Sequence, residues 1–394
     1  YYTDPLDNTG TLGAKIDKNN DINFNNAPMG FNGSNQCIAI SADGKVVIVG
    51  DPSNNRIFIS TTNTDGSKEI VTFSSDNYAL VQPNSQFGYS VAISSDGYSI
   101  AVGAPHFKNE HGIEVGQVYV WKKGYTWTYV ETSLGINGDN GGDSDIIPRM
   151  GISVAFNNNG RLLAVGSGMV GTVSDINGTT QQGQVDVYKY TFINNSTVNW
   201  SKLPHSLKST SFSQIGHSLS ISDDCTILAV GAPGTYTHLG YDDGNVYIYQ
   251  IEGITASQIA DVNDQSVSNV TWKLVKKIPG KTGSSFGTSV SLNLAGDTLV
   301  AGGPTYNGSV NGTGQGTGQG TGQGYAEVYT YVHSDWRLAC PTIYQEFPID
   351  EHTYIPDTSA RFGSSVSISS NDSSNNMIVV GAPNNKLVTT GNSS

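Results

Sequence analysis

Apolar and small polar residues alternate in short runs along this chain, and turn residues separate the runs. Residues 87–105 show the pattern clearly, with Ser90, Ala92 and Ser94 on one face of a predicted strand and Val91 and Ile93 on the other. A period of two is typical of a β-strand. Asp96 and Gly97 then predict a hairpin turn, because glycine accepts a positive φ angle and aspartate tolerates it. Residues 100–102 return as a second strand, which Pro105 ends because proline has no N–H to donate.

The same strand–turn–strand pattern recurs in six copies. They lie at residues 34–52, 87–105, 150–168, 215–233, 286–304 and 362–383. The spacing between copies grows along the chain while the parts of each copy persist, so the extra residues are predicted to be loop insertions. A supersecondary unit that recurs at this period predicts a propeller or a solenoid.

Two further strands follow most copies. The third strand is predicted at residues 116–121, 183–190, 244–249 and 326–332, and the fourth begins at Trp127, Trp200, Trp272 and Trp336. The first copy uses residues 56–59 and 69–73 instead. Four antiparallel strands per copy make one blade of a β-propeller. No helix is expected, and residues 254–269 are predicted to be an insertion in the outer hairpin of the fourth copy.

The repeated side chains have a structural interpretation. Small residues on the two inner strands of each copy would let neighbouring blades approach closely. The residue at the start of each copy would fill the wedge between blades, namely Phe87, Phe286 and Phe362, with Met150 and Ile215 in the corresponding places.

With these residues in view, the motif resembles the FG-GAP repeats of integrin α-subunit heads and related extracellular proteins. The resemblance covers nearly the whole chain, and it implies a β-propeller outside the cell that serves adhesion or ligand binding. Integrin-type repeats often carry a calcium loop between their first two strands. The hairpins here, such as Asp43-Gly44 and Asp96-Gly97, are too short and have too few carboxylates to surround Ca²⁺. The family's metal sites therefore do not carry over.

The two ends of the sequence complement each other. The last copy, 362–383, has two inner strands, and residues 1–17 contain a predicted fourth strand at 11–16 and the end of a third at Tyr1-Tyr2. Joining them closes a ring and removes open sheet edges. We therefore expect one all-β domain over residues 1–394, a six-bladed propeller whose last blade is closed by N-terminal strands. Seven blades, which the integrin resemblance favours, would need further residues. Because the sequence starts at Tyr1 rather than Met, a processed form and unseen ends both remain open.

Composition narrows the partners. The chain has 394 residues, of which 13% are charged, and its formal net charge is −13. Nucleic acid is not an expected partner, because phosphate binding needs a basic surface. No apolar run approaches the roughly 20 residues of a membrane span. The three cysteines, Cys37, Cys225 and Cys340, are odd in number and widely spaced. Cys37 stands where the other copies have small residues, so it is predicted to be a buried thiol, with one disulfide left open.

Three sets of residues are candidate sites. Oxygen ligands alternate in a glycine-rich loop at Asn137, Asp139, Asp143 and Asp145, where the ion would be Ca²⁺ and the alternative is solvated turn acids. Partner-binding loops are predicted around Tyr236, His238, Tyr241 and Asp242. Glycosylation sequons occur at Asn32, Asn177, Asn195, Asn269, Asn307 and Asn311.

Catalytic motifs are missing from the sequence. It has no H-E-x-x-H, C-x-x-C, Walker loop or G-x-S-x-G elbow. His217 stands at a repeat position where other copies have Tyr, Ile, Thr or Ser, and Asp350, Glu351 and His352 fit an exposed loop. We therefore predict that the chain is not an enzyme and needs no cofactor.

The leading functional hypothesis is an extracellular or surface-exposed module for binding, adhesion or assembly. Its partner would be a protein or glycan ligand, or another surface protein. A lectin-like propeller with sugar sites between blades is one alternative. A structural component of a virion or of a cell-surface appendage is another.

Overall fold

A computed structural model describes most of the repeat region. The described residues are 37–123, 127–129, 136–137, 146–147, 149–175, 178–193, 197–208, 213–234, 243–264, 267–307, 322–344, 360–369 and 376–383. They form six sheets, one for each sequence copy.

The first three sheets are blades 1 to 3. Blade 1 contains β1 (Ile38–Ile40), β2 (Val46–Asp51), β3 (Arg56–Thr62) and β4 (Lys68–Ser74). Blade 2 contains β5 (Ser90–Ile93), β6 (Ser99–Ala104), β7 (Gln117–Lys123) and β8 (Trp127–Tyr129), with β9 (Ile136–Asn137) paired to β7. Blade 3 contains β10 (Ile146–Ile147), β11 (Met150–Phe156), β12 (Leu162–Asp175), β13 (Gly178–Ile193), β14 (Thr197–Lys202) and β15 (Leu207–Lys208).

The other three sheets follow the same plan. Blade 4 contains β16 (Ser218–Ile221), β17 (Ile227–Ala232), β18 (Asn245–Glu252) and β19 (Thr271–Pro279). Blade 5 contains β20 (Ser289–Leu292), β21 (Thr298–Gly303), β22 (Tyr325–Val332) and β23 (Asp335–Leu338). Sheet 6 pairs β24 (Ser365–Ile368) with β25 (Ile378–Gly381). Pairing within the sheets is antiparallel, as the alternating pattern predicts.

One register repeats through the sheets. A serine on the first strand lies opposite a glycine on the second, as in Ser90↔Gly103, Ser218↔Gly231, Ser289↔Gly302 and Ser365↔Gly381. The predicted third and fourth strands are also present, including those that begin near tryptophan.

Buried apolar clusters lie between neighbouring sheets rather than inside one sheet. The cluster between blades 1 and 2 joins Ile48 and Ile59 to Ile100 and Trp121, with Phe87 fully buried among them. Similar clusters join blades 2 and 3, 3 and 4, 4 and 5, and blade 5 to sheet 6. The predicted wedge residues Phe87, Met150, Ile215 and Phe286 are at most 1% exposed, and Phe362 is partly buried. The fold is a β-propeller of four-stranded antiparallel blades.

A serine–glycine contact joins successive blades. The Oγ atom on the first strand of one blade donates to the carbonyl oxygen of the FG-type glycine that opens the next. The four pairs are Ser90 to Gly151 (2.9 Å), Ser153 to Gly216 (2.6 Å), Ser218 to Gly287 (2.8 Å) and Ser289 to Gly363 (2.9 Å). We call this contact the blade joint. In blade 1 the equivalent position is Cys37.

A second set of hydrogen bonds connects the inner hairpins, at what we call the hairpin end of the propeller. The amide of Ala42 donates to the carbonyl of Ser95 (3.0 Å), and the amide of Ser95 donates to the carbonyl of Asn158 (2.9 Å). Asp223 donates to Leu294 in the same way between blades 4 and 5 (2.9 Å). Blades 2 and 3, and likewise blades 4 and 5, are therefore held at both ends of their inner strands.

The outward faces of the first and last sheets differ from the interior ones. Ile38 and Ile40 of blade 1, and Met377 and Val379 of sheet 6, are exposed, whereas Val91, at the position of Ile38, is buried. Ring closure would cover both faces. The predicted closing segment, residues 1–17, lies outside the described residues, so six-bladed closure stays a prediction.

Two sequence expectations were wrong. The blade 4 insertion contains a helix, α1 (Ala256–Ala260), which begins at a capping box formed by Thr255 and Gln258. In blade 3, β12 and β13 run far beyond the predicted core, over 14 and 16 residues. The third copy ends in Gly166-Ser167-Gly168 and has no proline to stop the strand. A short helix, Pro52–Asn54, is of the 3-10 type.

The blade joint predicts which glycines tolerate a side chain. A methyl group at Gly103 would overlap the carbonyl oxygen of Gly151 in the next blade, whereas one at Gly168 would make only ordinary contact with Ile152. We expect Gly103→Ala to destabilise the protein by about 3 kcal/mol or more, because two packed backbones would have to separate. Gly168→Ala should change stability by less than about 1 kcal/mol. Urea unfolding of both variants measures this, and equal effects would contradict the joint.

Candidate binding sites at the blade boundaries

Many of the predicted site residues lie outside the described residues. They are Asp139, Asp143, Asp145, Tyr236, His238, Tyr241, Asp242, Asn32, Asn177, Asn195, Asn311, Asp350, Glu351 and His352. Asn137 ends β9 and pairs with Gln117. Asn269 is exposed in a turn and Asn307 is partly buried. Within the described ranges no group of three His, Cys, Asp or Glu side chains could hold a metal ion. No helix there is long and apolar enough to cross a membrane.

His217 occupies a repeat position, as the sequence predicted. The amides of Gly216 and His217 both donate to the carbonyl of Gly231, just as those of Gly88 and Tyr89 donate to that of Gly103. Burial lowers the pKa of His217 to about 4. The imidazole is therefore neutral near pH 7, and its role is structural.

The three cysteines are free thiols, so the disulfide left open by the sequence does not form in this structure. Cys225 is buried and accepts a hydrogen bond from the side chain of Asn157 (2.8 Å). Burial raises the pKa of this thiol to about 12. Burial also raises the pKa of Cys37, which is partly buried. Because the thiolate is the nucleophile, neither side chain is poised for covalent chemistry.

A lysine of the connection between blades 4 and 5 sits among three tyrosine rings. Lys281 Nζ lies 4.3 Å from the ring centre of Tyr325, 5.0 Å from that of Tyr344 and 5.4 Å from that of Tyr306. It also lies 3.2 Å from Oε1 of Glu327, whose side chain is only 8% exposed. We call these five residues the tyrosine cage. The cage lies at the end of the blades opposite to the hairpin end.

One position on the third strand of each of blades 1 to 5 pairs with the first residue of the second strand. It is occupied by a lysine in two blades and by a neutral residue in three, and the residues are Thr61, Lys122, Lys189, Gln250 and Thr330. Lys189 is fully buried and donates to the carbonyl of Asp264 in the blade 4 insertion. Burial lowers its pKa, and the charges of Asp264 and Asp261 oppose that shift. Lys122 instead faces Tyr190 of blade 3, with Nζ 4.1 Å from the ring centre.

Sequence reasoning missed the environments of Lys122 and Lys189. A lysine within a predicted strand is ordinarily a solvated residue. The available signal was that only two of the five third strands have lysine at this position, while the others have Thr or Gln. The facing partners come from another blade and could not be deduced from spacing alone.

Comparison with known proteins identifies the repeat. Residues 81–121 match the family model of the FG-GAP repeat, over the approach to blade 2 and most of its first three strands. The match confirms the resemblance for the second copy, so this β-propeller contains an FG-GAP repeat. The match does not bear on integrin-like specificity. No curated protein matches the sequence significantly.

Solved structures of similar shape are distant. A putative 6-phosphogluconolactonase from Bacteroides uniformis is 13% identical, covers 79% of this chain and 71% of its own, and has a TM-score of 0.44. The Cps50 (Swd1) β-propeller domain of Myceliophteria thermophila is 10% identical, covers 85% of this chain and 89% of its own, and has a TM-score of 0.41. At these scores neither likeness carries an argument about function.

The tyrosine cage predicts a strong dependence on Lys281. We expect Lys281→Met to destabilise the protein by about 2 kcal/mol, because the largely buried Glu327 loses its cation. The double variant Lys281→Met/Glu327→Gln should recover much of the loss. The control is Lys276→Met, which breaks a more exposed inter-blade pair with Asp335 and should cost much less stability than Lys281→Met. Chemical denaturation compares the three, and additive effects of Lys281 and Glu327 would contradict the pairing.

The lowered pKa of His217 should make the free energy of unfolding depend on pH in the acid range. Its pKa is near 4 in the folded state and about 6.5 in the unfolded state, so between these values the unfolded chain binds more protons. The free energy of unfolding should therefore fall as pH drops from 6.5 to 4. His217→Thr, which installs the residue of the fifth copy, should lose less stability over this window. Urea unfolding at pH 7 and pH 4.5 tests this, and equal losses in both proteins would refute it.

Proposed function

We propose that this chain is a non-enzymatic binding module, displayed outside a cell or on a virion surface, that engages its partner at the boundaries between blades. The observation that carries the proposal is that residues of the inner strands hold the blades together, whereas residues at the blade boundaries are free to differ between copies. Repeated serines and glycines of the inner strands are occupied by blade joints. The polar side chains that vary from copy to copy meet at the boundaries, as Lys122 and Lys281 do.

Several features of the inner strands support binding rather than catalysis. A general base needs a pKa near the working pH and access to its substrate. His217 has a pKa near 4, and the buried Cys225 thiol has one near 12. We therefore assign a structural role to His217 and Cys225, and we assign ligand recognition to the exposed residues at the blade boundaries.

A lectin-like version would place similar aromatic pockets at successive boundaries. Trp121, Trp200 and Trp336 are at most 3% exposed and belong to the buried clusters. Lys122 lies at the hairpin end and Lys281 at the opposite end, so these two boundary sites are not equivalent. Among the described residues, nothing specific thus supports repeated sugar sites. Glycan attachment at Asn269, calcium near Asn137 and assembly with other surface proteins remain proposals.

An array experiment tests the binding role. The full chain is presented to panels of extracellular protein domains and of glycans, and we expect saturable binding of at least one partner without its chemical conversion. Arg161→Gln changes a boundary cation and should weaken that binding. Lys108→Gln removes an exposed charge elsewhere and should leave it intact. Finding no partner in either panel, together with catalytic turnover of a small substrate such as a lactone, would overturn the proposal.

A further inference from the structure

Two cations of neighbouring blades share one tyrosine ring at the hairpin end. Lys122 lies near the end of β7 in blade 2, Arg161 in the inner hairpin of blade 3, and Tyr190 on β13. Lys122 Nζ is 4.1 Å from the Tyr190 ring centre and Arg161 Cζ is 5.3 Å from it. Both side chains are partly exposed, whereas the tyrosine is only 4% exposed. We call these three residues the cation pair site.

Neither cation has an acidic partner among the described residues, although the chain carries a net charge of −13. Other partly buried cations are matched to carboxylates, as in Arg56–Asp51 (2.7 Å), Lys276–Asp335 (2.7 Å) and Lys281–Glu327 (3.2 Å). Lys189, which holds the position of Lys122 in the next blade, has the carbonyl of Asp264. The tyrosine ring attracts both cations but cannot neutralise them.

The electrostatics of the site favour an added negative charge. Burial, followed by the positive charge of Arg161, lowers the pKa of Lys122 to about 8, and Asp96 opposes the shift. The Asp96 carboxylate accepts hydrogen bonds from the Ser94 hydroxyl and from the amide of Tyr98 (2.9 Å). It lies beyond ion-pair distance of either cation. A bound anion would relieve the repulsion between Lys122 and Arg161.

The site is also held in place before any ligand arrives. The side chain of Asn157 accepts hydrogen bonds from the amides of Arg161 and Leu162, each at 2.8 Å. The amide of Tyr190 donates to the carbonyl of Arg161 (2.8 Å), and its ring packs edge-on against Trp200 at 5.3 Å. The backbone that carries Arg161 and the ring that both cations contact are therefore held in place, which lowers the conformational entropy that binding costs.

We propose that Lys122 and Arg161 bind an oxyanion group of a ligand at the boundary of blades 2 and 3. The ammonium offers three donors and the guanidinium a planar fork, which suits carboxylate, sulfate or phosphate oxygens. This inference rests on the proposed binding function and deepens it, because it names the chemistry that the partner must present. Binding should weaken above pH 8, where Lys122 loses its proton.

The experiment titrates the intact chain with sodium sulfate and, in a separate arm, sodium acetate, with chloride holding the ionic strength constant. NMR follows the Lys122 side chain. We expect saturation by at least one anion, at about 1–10 mM for so small a probe, and a rise in the pKa of Lys122. The two arms distinguish a tetrahedral from a planar anion. If neither anion saturates the site, the inference is overturned.

Matched variants locate the binding. Arg161→Gln and Lys122→Gln should each weaken anion affinity about tenfold, Lys122→Arg should restore it, and Lys108→Gln should have no effect. Unchanged affinity in Arg161→Gln would overturn the inference, even if Lys122→Gln failed to fold. Partner binding that persists without anion binding removes only this inference. Anion binding with no partner in the panels, together with turnover of a small substrate, removes the proposed function instead.

Discussion

A serine hydroxyl that donates to a glycine carbonyl in the next blade is the contact on which this propeller depends. It occurs at four successive boundaries, at 2.6 to 2.9 Å, and each serine is at most 4% exposed. The contact needs glycine on both sides, because any side chain would push the two backbones apart. It therefore explains why both glycines of the FG and GAP motifs recur. Leaving such an acceptor without a partner costs about 1–3 kcal/mol when it is buried.

This constraint determines where chemistry can vary. Inner strands that must approach a neighbour have little freedom, whereas residues near the strand ends and in the connections can change without separating the blades. The tyrosine cage and the cation pair site both lie in such positions. The cation pair site joins blades 2 and 3, and the tyrosine cage joins blade 5 to the connection that precedes it. The insertion of blade 4 also contacts a neighbouring blade, because the carbonyl of Asp264 accepts a hydrogen bond from Lys189 of blade 3.

Local rules predicted most of the frame. Period-two alternation located the strands, Asp-Gly pairs located the first two inner hairpins, and the recurring motif predicted the propeller. Helix α1 was not predicted, because an insertion between two strands is ordinarily a loop. The sequence does contain a helix signal there, since Thr255 and Gln258 form a capping box. The sites were beyond sequence reasoning for a different reason. Lys122 and Arg161 meet only because two sheets pack face to face, and no local spacing encodes which residues then share a ring.

A crystal structure of the chain, at a resolution that shows hydroxyl oxygens and ordered water, would test the blade joint. We expect a direct contact between serine Oγ and glycine oxygen at each of the four joints, below about 3.2 Å. Water molecules between these atoms, or sheets that stack along a line without these contacts, would contradict it.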